Sequence, residues 1–214
     1  MNVFAYCYND PILLSDSTGN RPVIGAHPQK EEDWAAINEY MRTKAIAEYR
    51  NGCSNSKGLS SQEIHKNATT VHDYLSNNGW SENAIAATLG NMYAESRINP
   101  AQYQNGGKGP GYGIVQWDPA SKYLDWAEAN GRGKASLLDQ VDYLIYSMQP
   151  GNGQWFCHFK NSQYYMPYSD FIVSNADITY LTQVFLWSYE RPSLPHTQKR
   201  IDSANYWFNY FSNR

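Results

Sequence analysis

Apolar residues recur at helical spacing through most of the chain after residue 60, which predicts a largely α-helical domain. The first such stripe consists of Ile64, Ala68, Val71 and Leu75. Ser60 and Glu63 have the spacing of a capping box, in which each side chain satisfies a free backbone N–H at the start of a helix. Gly79 offers a left-handed stop at the other end. These signals together predict one complete amphipathic helix.

The second helix has an unusual composition, because many of its residues are small. Its apolar face carries Ile85, Leu89 and Met92, and its small residues are Ala84, Ala86, Ala87 and Gly90. Ser81 can cap its start, and Pro100 closes the segment, because the residue before a proline is pushed out of helical backbone space. Small side chains allow close packing against a neighbour, so we predict a central, buried helix.

The fold class that follows is mainly α, with a small glycine-rich β excursion after the second helix. Residues 101–117 contain five glycines, a composition typical of loop and short strand. Asp118 and Pro119 then favour a capped helix start, with that helix running to about Gly131. Three later helices are predicted, at 136–149, 178–190 and 197–212.

The first 58 residues differ from the rest of the chain. The pattern predicts an extended arm or hairpin over residues 1–30, a helix over residues 31–50 and a polar linker over residues 51–58. We therefore divide the chain into an accessory segment, 1–58, and a main domain, 59–214. An arm and helix of this kind could dock onto another protein, or could pack on the main domain as extra core.

Charge and cysteine content narrow the possible partners. The formal net charge is -3 with a pI of about 5.9, and without a basic patch we expect no nucleic-acid partner. We expect neither a signal peptide nor a membrane span. The odd set Cys7, Cys53 and Cys157 argues against a disulfide framework. The five histidines form no HxH or HExxH pattern, so we expect no metal and no organic cofactor.

Glu95 is the candidate for chemistry, near the end of the small-residue helix. Burial in an apolar cleft raises the pKa of a carboxyl group, and a glutamic acid that keeps its proton can donate it to a glycosidic oxygen. Cleavage of a glycoside needs such an acid, since the sugar oxygen leaves poorly unless protonated. Spacing alone leaves the alternative of a solvated glutamate at a frayed helix end.

Motifs around Glu95 resemble those of the phage tail lysozyme family, which is related to the lytic transglycosylases. Residues 95–100, ESRINP, resemble the E-S-x-x-N-P motif of the transglycosylases, and residues 113–116, GIVQ, resemble their G-L-M-Q motif. Further similar segments are NGW at 78–80, GNM at 90–92, GYG at 111–113, VQW at 115–117, PA at 119–120 and SYERP at 188–192. The resemblance runs from about residue 61 to 211, and it implies an α+β lysozyme-like fold.

This resemblance implies a lysozyme (muramidase)-type glycoside hydrolase that cleaves the β-1,4 bond between N-acetylmuramic acid and N-acetylglucosamine in peptidoglycan. It implies that Glu95 is the acid and that Tyr112, Gln116 and Trp117 line the sugar site. For Trp117, a place in the core is an equally good interpretation. The family's place is the tip of a phage tail, so the resemblance implies a virion protein that acts on the host cell wall.

A second carboxylate is harder to identify. Asp118 is close in sequence, but a helix cap before Pro119 explains it better. Glu190 lies next to Arg191, and we interpret the two as a structural ion pair. Without a second carboxylate, the sugar's own 6-hydroxyl would attack and give an anhydro product, which is the outcome of a lytic transglycosylase.

Two alternatives come from other classes of protein. Cys157 and His158 are adjacent, as a cysteine peptidase could use, but sequence neighbours rarely form a nucleophile–base pair. A lysozyme-like protein could also bind glycan without cutting it. An acidic chain gains no long-range attraction to an anionic wall. We therefore expect residues 1–58 to tether it to phage tail or baseplate proteins.

Overall fold

The computed structural model describes residues 58–156 and 162–214, and this part of the chain is mostly helical. Its seven α-helices are α1 Ser61–Asn77, α2 Glu82–Ser96, α3 Ser121–Ala129, α4 Leu137–Met148, α5 Tyr168–Val173, α6 Ile178–Phe185 and α7 Thr197–Ser212. A π-helical turn, Leu186–Glu190, continues α6. Within these two ranges, no helix has the length and apolar character needed to cross a membrane.

The helices predicted within these ranges are confirmed. Helices α4 and α7 correspond to the predictions at 136–149 and 197–212, and α6 with its π-helical turn corresponds to the prediction at 178–190. The short α5 was not predicted. The predicted accessory segment lies outside the described residues apart from Gly58. All three cysteines and His158 also lie outside them. The arm, the 31–50 helix, the docking role and the cysteine-peptidase alternative therefore stay predictions.

The start and end of α1 follow the sequence signals. Ser60 and Glu63 form the predicted capping box: the Ser60 hydroxyl accepts the Glu63 N–H at 3.3 Å, and the Glu63 carboxylate accepts the Ser60 N–H at 2.7 Å. Gly79 follows the helix in the left-handed region, with φ of 81°. The predicted stripe on this helix is buried.

Helix α2 is the central helix, as its small residues predicted, and residues 84–92 are all buried. A Cβ added at Gly90 would lie 2.6 Å from the Ala204 Cβ, 2.7 Å from the Ala204 nitrogen and 2.7 Å from the Arg200 carbonyl oxygen. Helix α7 can therefore lie this close only because residue 90 has no side chain. This close approach brings the first turn of α7 to the end of α2.

The glycine-rich segment that follows α2 forms turns rather than strands. Its β content consists of two isolated antiparallel bridges, which pair Tyr112 with Tyr103 and with Trp117. A short 3-10 segment, Gln104–Gly107, interrupts it, and Gly113 and Gln116 have positive φ of 82° and 53°. Repeated left-handed positions break the extended backbone that a strand requires. The predicted β excursion is thus reduced to a loop.

The prediction that Asp118 caps the next helix is wrong. Helix α3 begins at Ser121, with Ala120 at its N-cap position and no side-chain cap. The first helical bond runs from the Leu124 N–H to the Ala120 carbonyl, at 3.0 Å. The Ala120 N–H donates to the Pro110 carbonyl at 2.8 Å, which holds this point of the chain in the loop. Asp118 therefore lies exposed in the turn before the helix.

His72 joins α1 to its neighbours and makes stability depend on pH. Its ring stacks on Phe211 at 4.0 Å, and its nitrogens contact Asp73 at 2.9 Å and Glu82 at 2.8 Å. Burial opposes the charge, but the hydrogen bonds and charges of the two carboxylates raise the pKa of His72 to about 9. Because this folded-state pKa lies above the usual 6.5, the stabilisation is complete below pH 6.5 and is lost as pH rises through 9.

We expect the free energy of unfolding to fall across this window by roughly 1–3 kcal/mol, given about 1.4 kcal/mol per pKa unit. Urea unfolding below and above the window measures the fall. His72→Gln should remove most of it, because glutamine does not titrate. An equal fall in the variant would assign the pH dependence to other groups.

Candidate active site

The turn after α2 holds its backbone in an unfavourable conformation. Arg97 and Ile98 both lie in the left-handed region, with φ of 59° and 58°. This region is costly for a β-branched residue such as isoleucine. Tertiary contacts hold the turn in place: Asn67 Nδ2 donates to the Ile98 carbonyl at 2.8 Å, and Gln140 Nε2 donates to the Pro100 carbonyl at 2.7 Å. The end of α2 is therefore fixed relative to α1 and α4.

Ser96 joins the end of α2 to the glycine-rich loop. Its hydroxyl donates to the Ile114 carbonyl at 2.8 Å and accepts the Asn99 N–H at 3.2 Å. One of these bonds is local to the turn after α2, and the other reaches the loop. Gln140 adds a second link, since its Oε1 accepts the Ile114 N–H at 2.9 Å. The helix that carries Glu95 and the loop that carries Gln116 thus form one rigid unit.

The carboxylate of Glu95 lies against a buried cation rather than in an apolar cleft. Its side chain is 22% exposed and pairs with the Arg200 guanidinium, whose side chain is 3% exposed. Arg200 also donates from Nη1 to Asn91 Oδ1 at 3.0 Å and from Nε to the Pro195 carbonyl at 2.9 Å. These bonds fix the plane of the guanidinium beside α2. The expectation of a largely apolar setting for Glu95 is therefore wrong.

Glu190, at the end of the π-helical turn, occupies the other side of the same guanidinium. Its side chain is 5% exposed, and its Oε2 accepts from Arg200 Nη1. Its Oε1 accepts no hydrogen bond from the residues that the structure describes. A single π turn can redirect a side chain that an α-helix would present elsewhere. Arg200 consequently lies between two carboxyl groups, Glu95 and Glu190.

The predicted ion pair of Glu190 with Arg191 is wrong. Arg191 has a left-handed backbone, with φ of 51°, immediately after the π-helical turn. Its Nη1 donates to the carbonyl of Gln154 at 2.8 Å and to that of Ser188, and its guanidinium lies over the Phe156 ring at 4.7 Å. The adjacent residues Glu190 and Arg191 therefore serve different parts of the structure.

The charges in this cluster influence one another strongly. Burial raises the pKa of Glu190 well above its ordinary value, Arg200 opposes this rise, and Glu95 adds to it. Burial disfavours the charge on Arg200, but the two neighbouring carboxylates raise its pKa overall. Arg200 is therefore a permanent cation here. We call Glu95, Arg200 and Glu190 the carboxylate–arginine cluster.

Tyr112 and Trp117 lie in the core, each 3% exposed. The Tyr112 hydroxyl donates to the Lys134 carbonyl at 3.0 Å. The Trp117 indole N–H donates to the Tyr189 hydroxyl at 2.8 Å, and its ring stacks on Tyr123 at 5.1 Å. The structure thus gives both side chains interior partners, and the core interpretation of Trp117 describes its position.

Gln116 is the predicted sugar-site residue that is only partly buried. Its Nε2 donates to the carbonyl of Gln102 at 3.0 Å and to that of Gly113 at 2.9 Å. Its Oε1 accepts no hydrogen bond from the described part of the chain. The amide is therefore held in the loop through its nitrogen.

Over residues 58–156 and 162–214, no three His, Cys, Asp or Glu side chains come together as a metal site would require. In the cluster around Arg200, the guanidinium pairs with one oxygen of Glu95 and one oxygen of Glu190.

Comparison of the sequence with known proteins identifies the family of this chain. The model of the family described as phage tail lysozyme matches residues 66–211, which include Glu95, Gln116, Glu190 and Arg200. The chain belongs to the phage tail lysozyme family. It is also similar to "Morphogenesis protein 1" of Bacillus phage B103, with 39% identity over 153 residues. That match covers 70% of this chain but only 40% of the phage B103 protein.

Sequence reasoning missed Arg200, the central residue of the cluster in this phage tail lysozyme domain. A signal was present, because Arg200, Ala204 and Trp207 share one face of α7 and all three are buried. A cation within an apolar helical stripe needs a buried partner. Gln140 and Asn67, which hold the turn after α2, gave a weaker signal as polar residues next to apolar stripes.

Proposed function

We propose that this domain cleaves the β-1,4 bond between N-acetylmuramic acid and N-acetylglucosamine of peptidoglycan, with Glu95 as the acid. The observation that carries the proposal is the position of Glu95. It belongs to a buried carboxylate–arginine cluster, yet 22% of its side chain remains accessible, whereas the other two side chains of the cluster are almost fully enclosed. Membership of the phage tail lysozyme family supports it.

In this mechanism Glu95 donates its proton to the glycosidic oxygen as the bond to the sugar's anomeric carbon breaks. The positive charge of Arg200 then stabilises the carboxylate that remains. Gln116 Oε1 is suited to accept the N–H of an N-acetyl group. Because Tyr112 and Trp117 are buried, we assign them to the support of the Gln116 loop, and their direct contact with sugar stays a prediction from the family resemblance.

The fate of the sugar cation depends on what attacks it. Hydrolysis by inversion or retention uses a second carboxyl group near the reacting carbon. Glu190 lies behind Arg200 with its side chain 5% exposed, and Asp118 lies exposed in the turn before α3. The burial of Glu190 favours the lytic transglycosylase outcome as the alternative, with the sugar 6-hydroxyl as nucleophile. Glu95 would then also take up the proton of that hydroxyl.

Mass spectrometry of soluble products from purified peptidoglycan tests both the activity and its type. We expect the wild-type protein to release disaccharide-containing fragments. Products with reducing ends indicate hydrolysis, since one water is added per bond cleaved. Products lighter by one water indicate the intramolecular reaction. A heat-inactivated sample is the control, and release of peptides without glycan cleavage would contradict the proposal.

We place this activity in a virion, at a phage tail, acting on the host cell wall. The family description and the name of the phage B103 protein support this setting. The chain spans less than half the length of that relative, so the proposed activity belongs to the matched domain alone. Docking of residues 1–58 onto a tail or baseplate protein is part of the same proposal.

A further inference from the structure

We propose that Glu190 is a positioning residue that allows Glu95 to hold the catalytic proton, by offering Arg200 a second carboxylate. The inference rests on the proposed glycan cleavage, since it explains how Glu95 can act as an acid beside a permanent cation. An isolated arginine next to Glu95 would favour the ionised carboxylate, which has no proton to donate.

The charge balance of the cluster requires one proton. Two ionised carboxylates and one guanidinium would leave a net negative charge, and two protonated carboxyl groups would leave a net positive charge. A buried net charge is costly, so the neutral state with one proton is favoured. Glu95 and Glu190 bind the two Nη atoms of one guanidinium, and the nearby Glu95 raises the pKa of Glu190.

The proton has two possible positions in this pair. When Glu190 carries it, Arg200 pairs with ionised Glu95, which then has no proton to donate. When Glu95 carries it, Arg200 pairs with ionised Glu190, and Glu95 can donate the proton to the glycosidic oxygen. Both states have the same net charge, so moving the proton between them does not create a buried charge. Glu190 thereby acts on the reaction through Arg200 and Glu95, without contact with the sugar.

The other groups around the cluster leave this balance unchanged. From α2, the uncharged Asn91 accepts a hydrogen bond from Arg200. From α7, Lys199 places its ammonium on the Ala94 carbonyl at 3.2 Å, at the exposed end of α2. Next to Glu190, burial raises the pKa of Tyr189, whose hydroxyl bonds Ser147 and Trp117, so the tyrosine stays neutral.

The pH dependence of kcat/KM on peptidoglycan, measured for two opposite variants, tests this role. In Glu190→Gln, Arg200 faces Glu95 alone, so the alkaline limb should move to lower pH by at least about one unit, with near wild-type rates at acid pH. In Arg200→Gln, the pair loses its cation, so the limb should move to higher pH. Glu128→Gln, on the exposed face of α3, is the matched control and should leave the limb in place.

A purely structural role of Glu190 would lower activity equally at every pH and leave the limb where it is, and that result would overturn the inference. Limbs that move in the same direction in both variants would overturn it too. Melting curves at each pH identify loss of folded protein as a separate cause of lost activity.

A measurement on the wild-type chain separates this inference from the proposed function. With glutamate labelled by ¹³C at the carboxyl carbon, NMR should show one protonated glutamate at neutral pH. The signal should disappear in Glu95→Gln and in Glu190→Gln, since either substitution leaves Arg200 with a single carboxylate partner that stays ionised. If the protonated signal is present but peptidoglycan is not cut, the cluster is as inferred and the proposed function fails. If every glutamate is ionised at neutral pH, the inference fails whatever the activity.

Discussion

Replacing Glu95 by glutamine is expected to reduce glycan cleavage by at least about 100-fold, because a general acid typically contributes 10²–10⁴-fold to the rate. Glutamine has nearly the same size and can still accept a hydrogen bond from Arg200, but it has no proton of suitable acidity to donate. The expected loss is therefore in kcat rather than in substrate binding. Release of soluble glycan fragments from purified peptidoglycan measures it.

Two controls make the Glu95→Gln result specific. Glu128→Gln makes the same chemical change on the exposed face of α3 and should keep full activity. Co-sedimentation with insoluble peptidoglycan should show that Glu95→Gln still binds the wall. If the variant releases the same products at the same rate, Glu95 is not the acid. If wild type and variant both bind but neither cleaves walls from several bacteria, a glycan-binding module becomes the better description.

Local sequence signals predicted most of the helical framework. Ser60 with Glu63 and Ser81 each cap a helix as their spacing indicated, because these contacts join residues three apart in the chain. The small residues of α2 correctly predicted a central helix with a close neighbour. Such signals depend on a few adjacent residues, which is why they can be interpreted without a structure.

The predictions of a β excursion and of an Asp118 cap were wrong, because longer-range contacts determine the backbone conformation in both places. In the glycine-rich loop, Ser96 and Gln140 bind the backbone of Ile114. The Pro110 carbonyl accepts the N–H of Ala120. These partners come from other parts of the fold. Glycine content indicated an irregular segment but could not say whether its extended stretches would pair over one residue or over several.

The site was only partly predictable for the same reason. Glu95 was identified through its motif, but Arg200 lies 105 residues away in sequence and reaches it through the packing of α7 on α2. The chain neighbour Arg191 was a more obvious partner for Glu190, yet the π-helical turn directs the two residues apart. Pairing between charges depends on such tertiary geometry, which local spacing does not encode.

The packing of α7 on α2 leads to the second large effect: Gly90→Ala is expected to destabilise the fold and impair the site together. In an exposed helix, alanine would be more stable than glycine by about 1 kcal/mol. Here the new Cβ would lie 2.7 Å from the Ala204 nitrogen and from the Arg200 carbonyl oxygen, both of them backbone atoms. Overpacking of this kind costs roughly 1–3 kcal/mol, so urea unfolding should show a lower free energy of unfolding.

The same change should lower activity even where the variant remains folded, because relief of the clash moves α7 away from α2. Arg200 would then shift relative to Glu95, whose proton it helps to control. Gly58→Ala is the control, since a Cβ there meets no atom within 4 Å. Adding Ala204→Gly should rescue Gly90→Ala only in part, because it removes the contact between two Cβ atoms but leaves the backbone contacts. A Gly90→Ala variant as stable and active as wild type would show that the two helices can separate without disturbing the cluster, and that Arg200 owes its position to Asn91 and Pro195 rather than to the close approach at Gly90.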